Sequence, residues 1–553
     1  MRVHSSSLFP VLAIGLAAVQ GKRVVENWDI TYVTTNRGLH MDTKQAIGVN
    51  NALPLPVVRA SKGDTLILNV RNSLDVPTSL HAHGIFQRGT NYYDGVPMTT
   101  SCPIAPGTNF TYVIPLEQAG TFWIHGHAKE QNFDGLRTPL IIQDPKDPYP
   151  TDGEYLFAVE DWWPVTYKET YDLITADKGP KNPYEKPPSS LINGFNSSLI
   201  KPISFAPGKS YRIRLINMSS LPYMEFSIDD HELQVIEVEG VSTKPKSVNV
   251  VRLSSGQRVS VLVKAKKRSN LNYKYHITVL GDFLPPIPNV YPSYFESSVT
   301  YNADAPYFER TGDLPSEPFD DLAIESLEHN PAMRPDVSLF LNLTSGYTPD
   351  SYQYHESIDF VAYEDPLVPT IFSALTTGDM AINPITYGPQ TNAHVLRYND
   401  VVEVLLWSPT IRPHPMHLHG HTFQVIERGK VTDVDGSVRR RVPQSKHYSP
   451  LMRDTVLVDV HEYVVIRFKA DNPGIWSLHC HLDWHLGQGL NMLFVEAPRE
   501  MTDALNVPQD IVDQCHAQGV STVGNVVGRN TYNYLGAPDL PRLLGSSPFD
   551  LTI

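Results

Sequence analysis

The sequence predicts an all-β chain built from three consecutive β-sandwich domains. The first ground is an internal recurrence. Gly63-Asp-Thr-Leu-Ile-Leu-Asn-Val-Arg-Asn72, Gly208-Lys-Ser-Tyr-Arg-Ile-Arg-Leu-Ile-Asn217 and Asn399-Asp-Val-Val-Glu-Val-Leu-Leu-Trp407 each set a turn before an alternating apolar run, the pattern of a strand. A second such run follows in each segment, at Phe110 to Pro115, Arg258 to Val263 and Val464 to Phe468. The second ground is length: 553 residues are too many for one hydrophobic core, and about three domains is the ordinary division. The third is composition, since 46 prolines and 34 glycines with plentiful Tyr and Phe suit many short strands broken by turns.

Taken in order, the chain opens with Arg2 and an apolar run from Leu8 to Val19, so residues 1–20 read as a secretory signal too short to span a bilayer. The first domain occupies 21–148 and ends at the Pro-rich joint Gln143-Asp-Pro-Lys-Asp-Pro-Tyr-Pro150. The second, 149–310, leads into an acidic, Pro-containing linker at 311–335. The third, 336–553, carries one expected helix from Pro508 to Gln518, with Pro508 suited to its first turn. No later stretch reaches transmembrane length, so no membrane anchor is expected. The chain reads as a secreted monomer, extracellular or held in a cell wall. Sequons at Asn109, Asn196, Asn217 and Asn342 are candidate glycan sites. A formal net charge of −14 argues against nucleic acid or an anionic membrane as partner.

The chemistry lies in the histidines. Trp476-Ser-Leu-His479-Cys480-His481-Leu-Asp-Trp-His485 follows a strand-like run. In extended backbone His479 and His481 point to one face and Cys480 to the other. Cys480 with His485 is most of a His₂Cys copper site, and the flanking histidines face a second site one residue's backbone away. His81-Ala-His83, His125-Gly-His127 and His414-Pro-Met-His417-Leu-His419-Gly-His421 are the companion clusters; a lone His-x-His is ordinarily a strand pair, but four clusters are not coincidence. They fall in the outer domains, which leaves the middle one as spacer and wall. Of three cysteines, Cys102 and Cys515 remain, and an oxidising compartment would let them pair; two unpaired thiols are the alternative.

These motifs, in this order, resemble the multicopper oxidases of three cupredoxin-like domains. The resemblance implies four copper ions, one of type 1, one of type 2 and two of type 3. It assigns His414, Cys480 and His485 to the blue type 1 ion, with Leu490 at the axial position where a Met ligand would stand. It assigns His81 and His417 to the type 2 ion and His83, His125, His127, His419, His479 and His481 to the type 3 pair, leaving His421 a structural role. Within the family, Cys102-Pro-Ile-Ala-Pro-Gly107, Asp230 to Gly240, Met452-Arg-Asp-Thr455 and Arg467 to Gly474 are similar to fungal ferroxidases and pigment oxidases; laccases share Asp483-Trp-His485.

The activity implied is one-electron oxidation at the blue site coupled to four-electron reduction of dioxygen to water. Asp94 and Asp483 are the carboxylates expected to serve proton delivery; Asp94 also suits a turn with Gly95. For the reductant, Glu185 matches an iron-binding glutamate of ferroxidases. Trp407 to Pro413, however, offers Thr410 and Arg412 where an acid should stand, and the 280–287 loop offers Asp282 or Pro285. A lone carboxylate is a poor site for hard Fe(II) but a serviceable anchor for a phenol. The expected substrate is therefore a phenol or naphthol, as in a laccase. Ferroxidase is the alternative, and a copper-binding protein without turnover a further one.

Overall fold

Each recurrent run is a strand held between two neighbours in the same order. In the computed structural model, which describes residues 21–37, 43–129, 131–174, 189–280, 294–348, 353–430, 449–540 and 543–545, strand Thr65–Asn72 pairs in parallel with Arg23–Thr35 and antiparallel with Asn109–Pro115. Ser210–Asn217 pairs the same way with Gly153–Trp162 and Arg258–Lys264. Val401–Trp407 does so with Val337–Tyr347 and Glu462–Lys469. Each of these sheets faces a second one, so the chain forms three β-sandwiches. Their interiors are buried apolar clusters that include Leu66 and Leu68, Ile213 and Leu215, and Val402 and Val404.

The second sheets of the outer sandwiches carry the histidines. In the first, Leu80–His83 lies against Gly120–Gly126 with His81 opposite His125. In the third, His414–Leu418 lies against Gly474–Cys480 with His417 opposite His479 and Met416 opposite Cys480. Period-2 alternation thus sends His479 one way and Cys480 the other. The strand stops at Cys480, and a short helix, Asp483–Gly487, turns His485 back beneath it.

The expected C-terminal helix runs Gln509–Ala517, with Pro508 as the residue before its first turn rather than within it. It brings Cys515 to Cys102, and the two form a disulfide across 413 residues of sequence. Gln514 Nε2 donates to the carbonyls of Cys102 and Pro103 beside it. The acidic 311–335 run is tied down along its length. Asp321 accepts from Arg428 and Arg453, and Ser326 pairs with Thr243 of the middle sandwich.

One sequence expectation is corrected by burial. Asn217 is fully buried, with its amide nitrogen donating to Pro222 O and Leu253 O and its oxygen accepting from Ser219 N. A glycan on Nδ2 would replace one of these donated hydrogens and would have no room at a fully buried side chain, so this sequon is a turn device. Asn109 is exposed; Asn196 and Asn342 are half-buried. Among the described residues no helix is long and apolar enough to cross a membrane.

Candidate metal centres

The first centre lies inside the third sandwich. His414 Nδ1 and His485 Nδ1 are 3.1 Å apart, and Cys480 Sγ lies 3.8 and 3.5 Å from them. All three side chains are buried. Burial pushes the Cys480 thiol well up and, with Arg412 as the lesser cause, pulls His414 down to about 3. A neutral imidazole pair facing a thiol that ionises only beside a cation is the donor set of a soft metal. Leu490 is fully buried and offers only carbon; its carbonyl accepts from Cys480 N.

The outer nitrogens of this pair are held differently. His414 Nε2 lies 2.8 Å from Thr410 Oγ1. His485 Nε2 lies 3.7 Å from Glu356 Oε1, a buried carboxylate on strand Tyr354–Ile358 that also accepts from Tyr354 Oη at 2.7 Å. Burial pushes the Glu356 carboxyl up to about 7; a cation bound beside His485 would act in the opposite direction. Sequence reasoning missed Glu356 because it searched the loop before His414, and this acid arrives from a strand 58 positions before that histidine.

The second centre lies between the first and third sandwiches, where eight histidines converge. His81 with His417 and His419, His81 with His83 and His125, and His127 with His419 and His479 each bring their ring nitrogens within 4.8 Å of one another. His481 Nε2 joins them 3.2 Å from His83 Nδ1. The Nε2 atoms of His81, His125, His127 and His417 are buried with no hydrogen-bond partner. Four orphaned imidazole nitrogens aimed at one another fit metal ions and little else. Burial, reinforced by the neighbouring rings, holds seven of these imidazoles below their ordinary range, so they stay neutral and ready to ligate.

The predicted carboxylates fall beside these groups. Asp94 Oδ2 lies 2.8 Å from His419 Nδ1, and Asp94 O lies 2.8 Å from His81 Nδ1; its own N–H donates to Asn91 O. Asp483 accepts from Asn132 Nδ2 at 2.9 Å, and burial lifts its carboxyl to about 7. His421 bridges His419 O and Glu496, a structural place. Glu185, Asp282 and Pro285 lie outside the described residues.

Sequence reasoning also missed what the middle sandwich does. It is more than a spacer. Arg258 donates to both oxygens of Asp454 at 2.7 and 2.6 Å, and Asp454 Oδ1 stands 3.1 Å from His83 Nε2. Glu239 accepts from the backbone N–H of Asp454 and of Thr455 and pairs with Arg453. A Cβ on Gly256 would sit 2.8 Å from the His481 ring, so that backbone is seated directly on the cluster.

Family profiles described as multicopper oxidase match residues 29–147, 153–295 and 362–500. The chain belongs to the multicopper oxidases. It is an enzyme with a complement of one type 1, one type 2 and two type 3 copper ions. It is 36% identical to the iron transport multicopper oxidase fio1 of Schizosaccharomyces pombe, over 96% of this chain and 86% of that protein. Among solved structures, Fet3p, a multicopper oxidase that functions in iron import, superposes with a TM-score of 0.85 at 29% identity, covering 94% of this chain and 99% of that one. The laccase of Botrytis aclada superposes at 0.75 and 26%, covering 90% and 92%. The expectation of a laccase acting on phenols is overturned by this pattern of likeness, which runs to iron oxidases over nearly the whole chain. Glu356 adds a carboxylate beside the first centre, buried against His485.

Proposed function

We propose that this multicopper oxidase takes its electrons from Fe(II), four for each dioxygen: 4 Fe²⁺ + O₂ + 4 H⁺ → 4 Fe³⁺ + 2 H₂O. The observation that carries the reading is the likeness to iron transport oxidases across 96% of the chain. His414, Cys480 and His485 would hold the type 1 ion, His81 and His417 the type 2 ion, and the other six histidines the type 3 pair. Copper there supplies one-electron exchange at the first centre and four-electron reduction of dioxygen at the second.

The chain's own residues supply the rest. His485 is the ring through which an electron enters, and Glu356 places negative charge at its outer nitrogen, which favours a cationic donor and the oxidised form of the site. Cys480 joins that site to His479 and His481 through one stretch of backbone, so the route onward is covalent. Asp483, with its carboxyl near 7, is matched to give and regain protons in a buried place. Asp94 Oδ2 accepts from His419 Nδ1–H and so leaves Nε2, with its lone pair, facing inward. Glu185 is the candidate contact for iron itself. The disulfide supports maturation in an oxidising compartment and hence a place outside the cytoplasm, with a monomer as the working unit.

Dioxygen uptake with Fe(II) and with a panel of diphenols tests the reading. A kcat/KM for Fe(II) at least tenfold above any diphenol, reduced in Glu185→Ala, is expected. Efficient diphenol turnover with Fe(II) no better than the unassisted reaction would overturn it.

A further inference from the structure

The eight histidines of the second centre do not all face it the same way. Six tie Nδ1 outward and leave Nε2 toward the centre: His81 to Asp94 O, His125 to Gly126 O, His417 to Asp454 O, His419 to Asp94 Oδ2, His479 to Cys480 O and His481 to Ser255 Oγ. His83 is reversed. Its Nε2 faces Asp454 Oδ1 at 3.1 Å and Thr455 Oγ1 at 3.2 Å, and its Nδ1 faces His481.

A carboxylate accepts only, so a ring nitrogen against Asp454 Oδ1 carries the proton and the other nitrogen keeps its lone pair. Asp454 can turn about its own side chain, and what stops it is Arg258, whose Nη1 and Nη2 take one oxygen each. That fork is itself fixed: Arg258 Nε donates to Thr121 O and Nη1 to Gly256 O. The guanidinium and the carboxylate are wholly buried. The same carboxylate stands 3.5 Å from His417 Nδ1, and the His83 and His417 rings stack at 3.7 Å between centroids, 11° from parallel. One bidentate pair therefore orients one ring from the first sandwich and one from the third.

We propose that Arg258, supplied by the sandwich that holds no ligand, is a positioning residue of the trinuclear centre: through Asp454 it sets which nitrogen His83 presents to copper and fixes His83 against His417. The middle sandwich is then part of the centre. This holds whatever the reductant is.

The test uses the full-length, copper-loaded enzyme with Arg258→Met, Arg258→Lys and the double variant Arg258→Met/Asp454→Asn. The readouts are copper per chain, the thiolate-to-copper absorption of the blue site, the type 2 paramagnetic signal and the near-ultraviolet band of the type 3 pair. Arg258→Met is expected to keep the blue band, to lose or alter the type 2 and type 3 signals, and to reduce dioxygen at least tenfold more slowly; Arg258→Lys should recover part of each signal. An Arg258→Met enzyme with four coppers and unaltered type 2 and type 3 signals would overturn the proposal. If Arg258→Met fails to fold because it strands a buried charge, the double variant removes that charge. Its blue band should return while the trinuclear signals stay altered; return of both would reduce Arg258 to charge balance and sink the positioning role.

Discussion

Glu356 Oε1 stands 3.7 Å from His485 Nε2, on the side of the imidazole turned away from Cys480. A buried negative charge there stabilises the more positive, oxidised state of the type 1 site. Glu356→Gln keeps the shape and removes the charge. At an effective dielectric constant near 20 the loss is on the order of 1–2 kcal/mol, so the reduction potential of the blue site should rise by roughly 50–90 mV. Redox titration followed at the blue band checks this, and a potential unmoved within 15 mV or so would remove Glu356 from the account of the site.

Asp483 is the proton-holding group closest in sequence to Cys480 and His481. Asp483→Asn should leave the blue band and copper content intact and slow reoxidation of the reduced enzyme by dioxygen by about 10²-fold, within the range for loss of a general acid. Rapid-mixing reoxidation measures this directly. A rate within twofold of the parent would assign proton delivery elsewhere.

The copper-free chain should be acid-sensitive. Nine buried imidazoles, those of His83, His125, His127, His414, His417, His419, His479, His481 and His485, are held below their ordinary range by burial. Unfolded, they bind protons below about 6.5; folded, they resist. Their stabilisation is therefore complete above about pH 6.5 and is lost as pH falls toward the folded values. Glu356 and Asp483, lifted to about 7, and Asp365, lifted to about 6, work the other way: their preference for the folded state fades as pH rises through those values. Burial raises Asp134, Glu239, Glu364, Glu462 and Glu496 as well, and His421 is raised beside Glu496 against its burial, so the sign rests on size and not on count. Seven of the nine imidazoles are held well below their ordinary range, and thermal unfolding should move up by on the order of 5 °C between pH 5 and 7.5. A midpoint that falls over that interval would show that the imidazoles are not sealed from water.

The Cys102–Cys515 bond spans most of the chain. Cys515→Ser should cost about 2–5 kcal/mol and lower the unfolding midpoint by several degrees, with copper content unchanged. Calorimetry of both proteins reads it.

Much of this molecule was legible in its sequence because repeats and ligands are local patterns. The three turn-and-strand runs are strands paired alike in each sandwich. His479-Cys480-His481 splits its side chains between two sites, as alternation requires. What stayed hidden is what distant segments do to each other. Glu356, on a strand, bears on His485, on a short helix, and no spacing rule connects the two. Arg258 sits on a run read only as a strand, and Met452-Arg-Asp-Thr455 was read only as a mark of kinship. In space that mark is where Asp454 meets Arg258 and His83. Asp230 to Gly240, another such mark, ends in Glu239, which holds the Asp454 and Thr455 backbone. The buried Asn217 shows the same limit from the other side: Asn-Met-Ser has the form of a glycan site, and only packing reveals a turn.

The central claim is that Fe(II) is the reductant and that its electrons reach dioxygen four at a time. Stopped-flow or electrode measurement of Fe(II) consumed against dioxygen consumed by the copper-loaded enzyme tests it most directly. The account predicts a ratio of four with no hydrogen peroxide released. No enzyme-dependent consumption of Fe(II), or a ratio of two with peroxide accumulating, would contradict it.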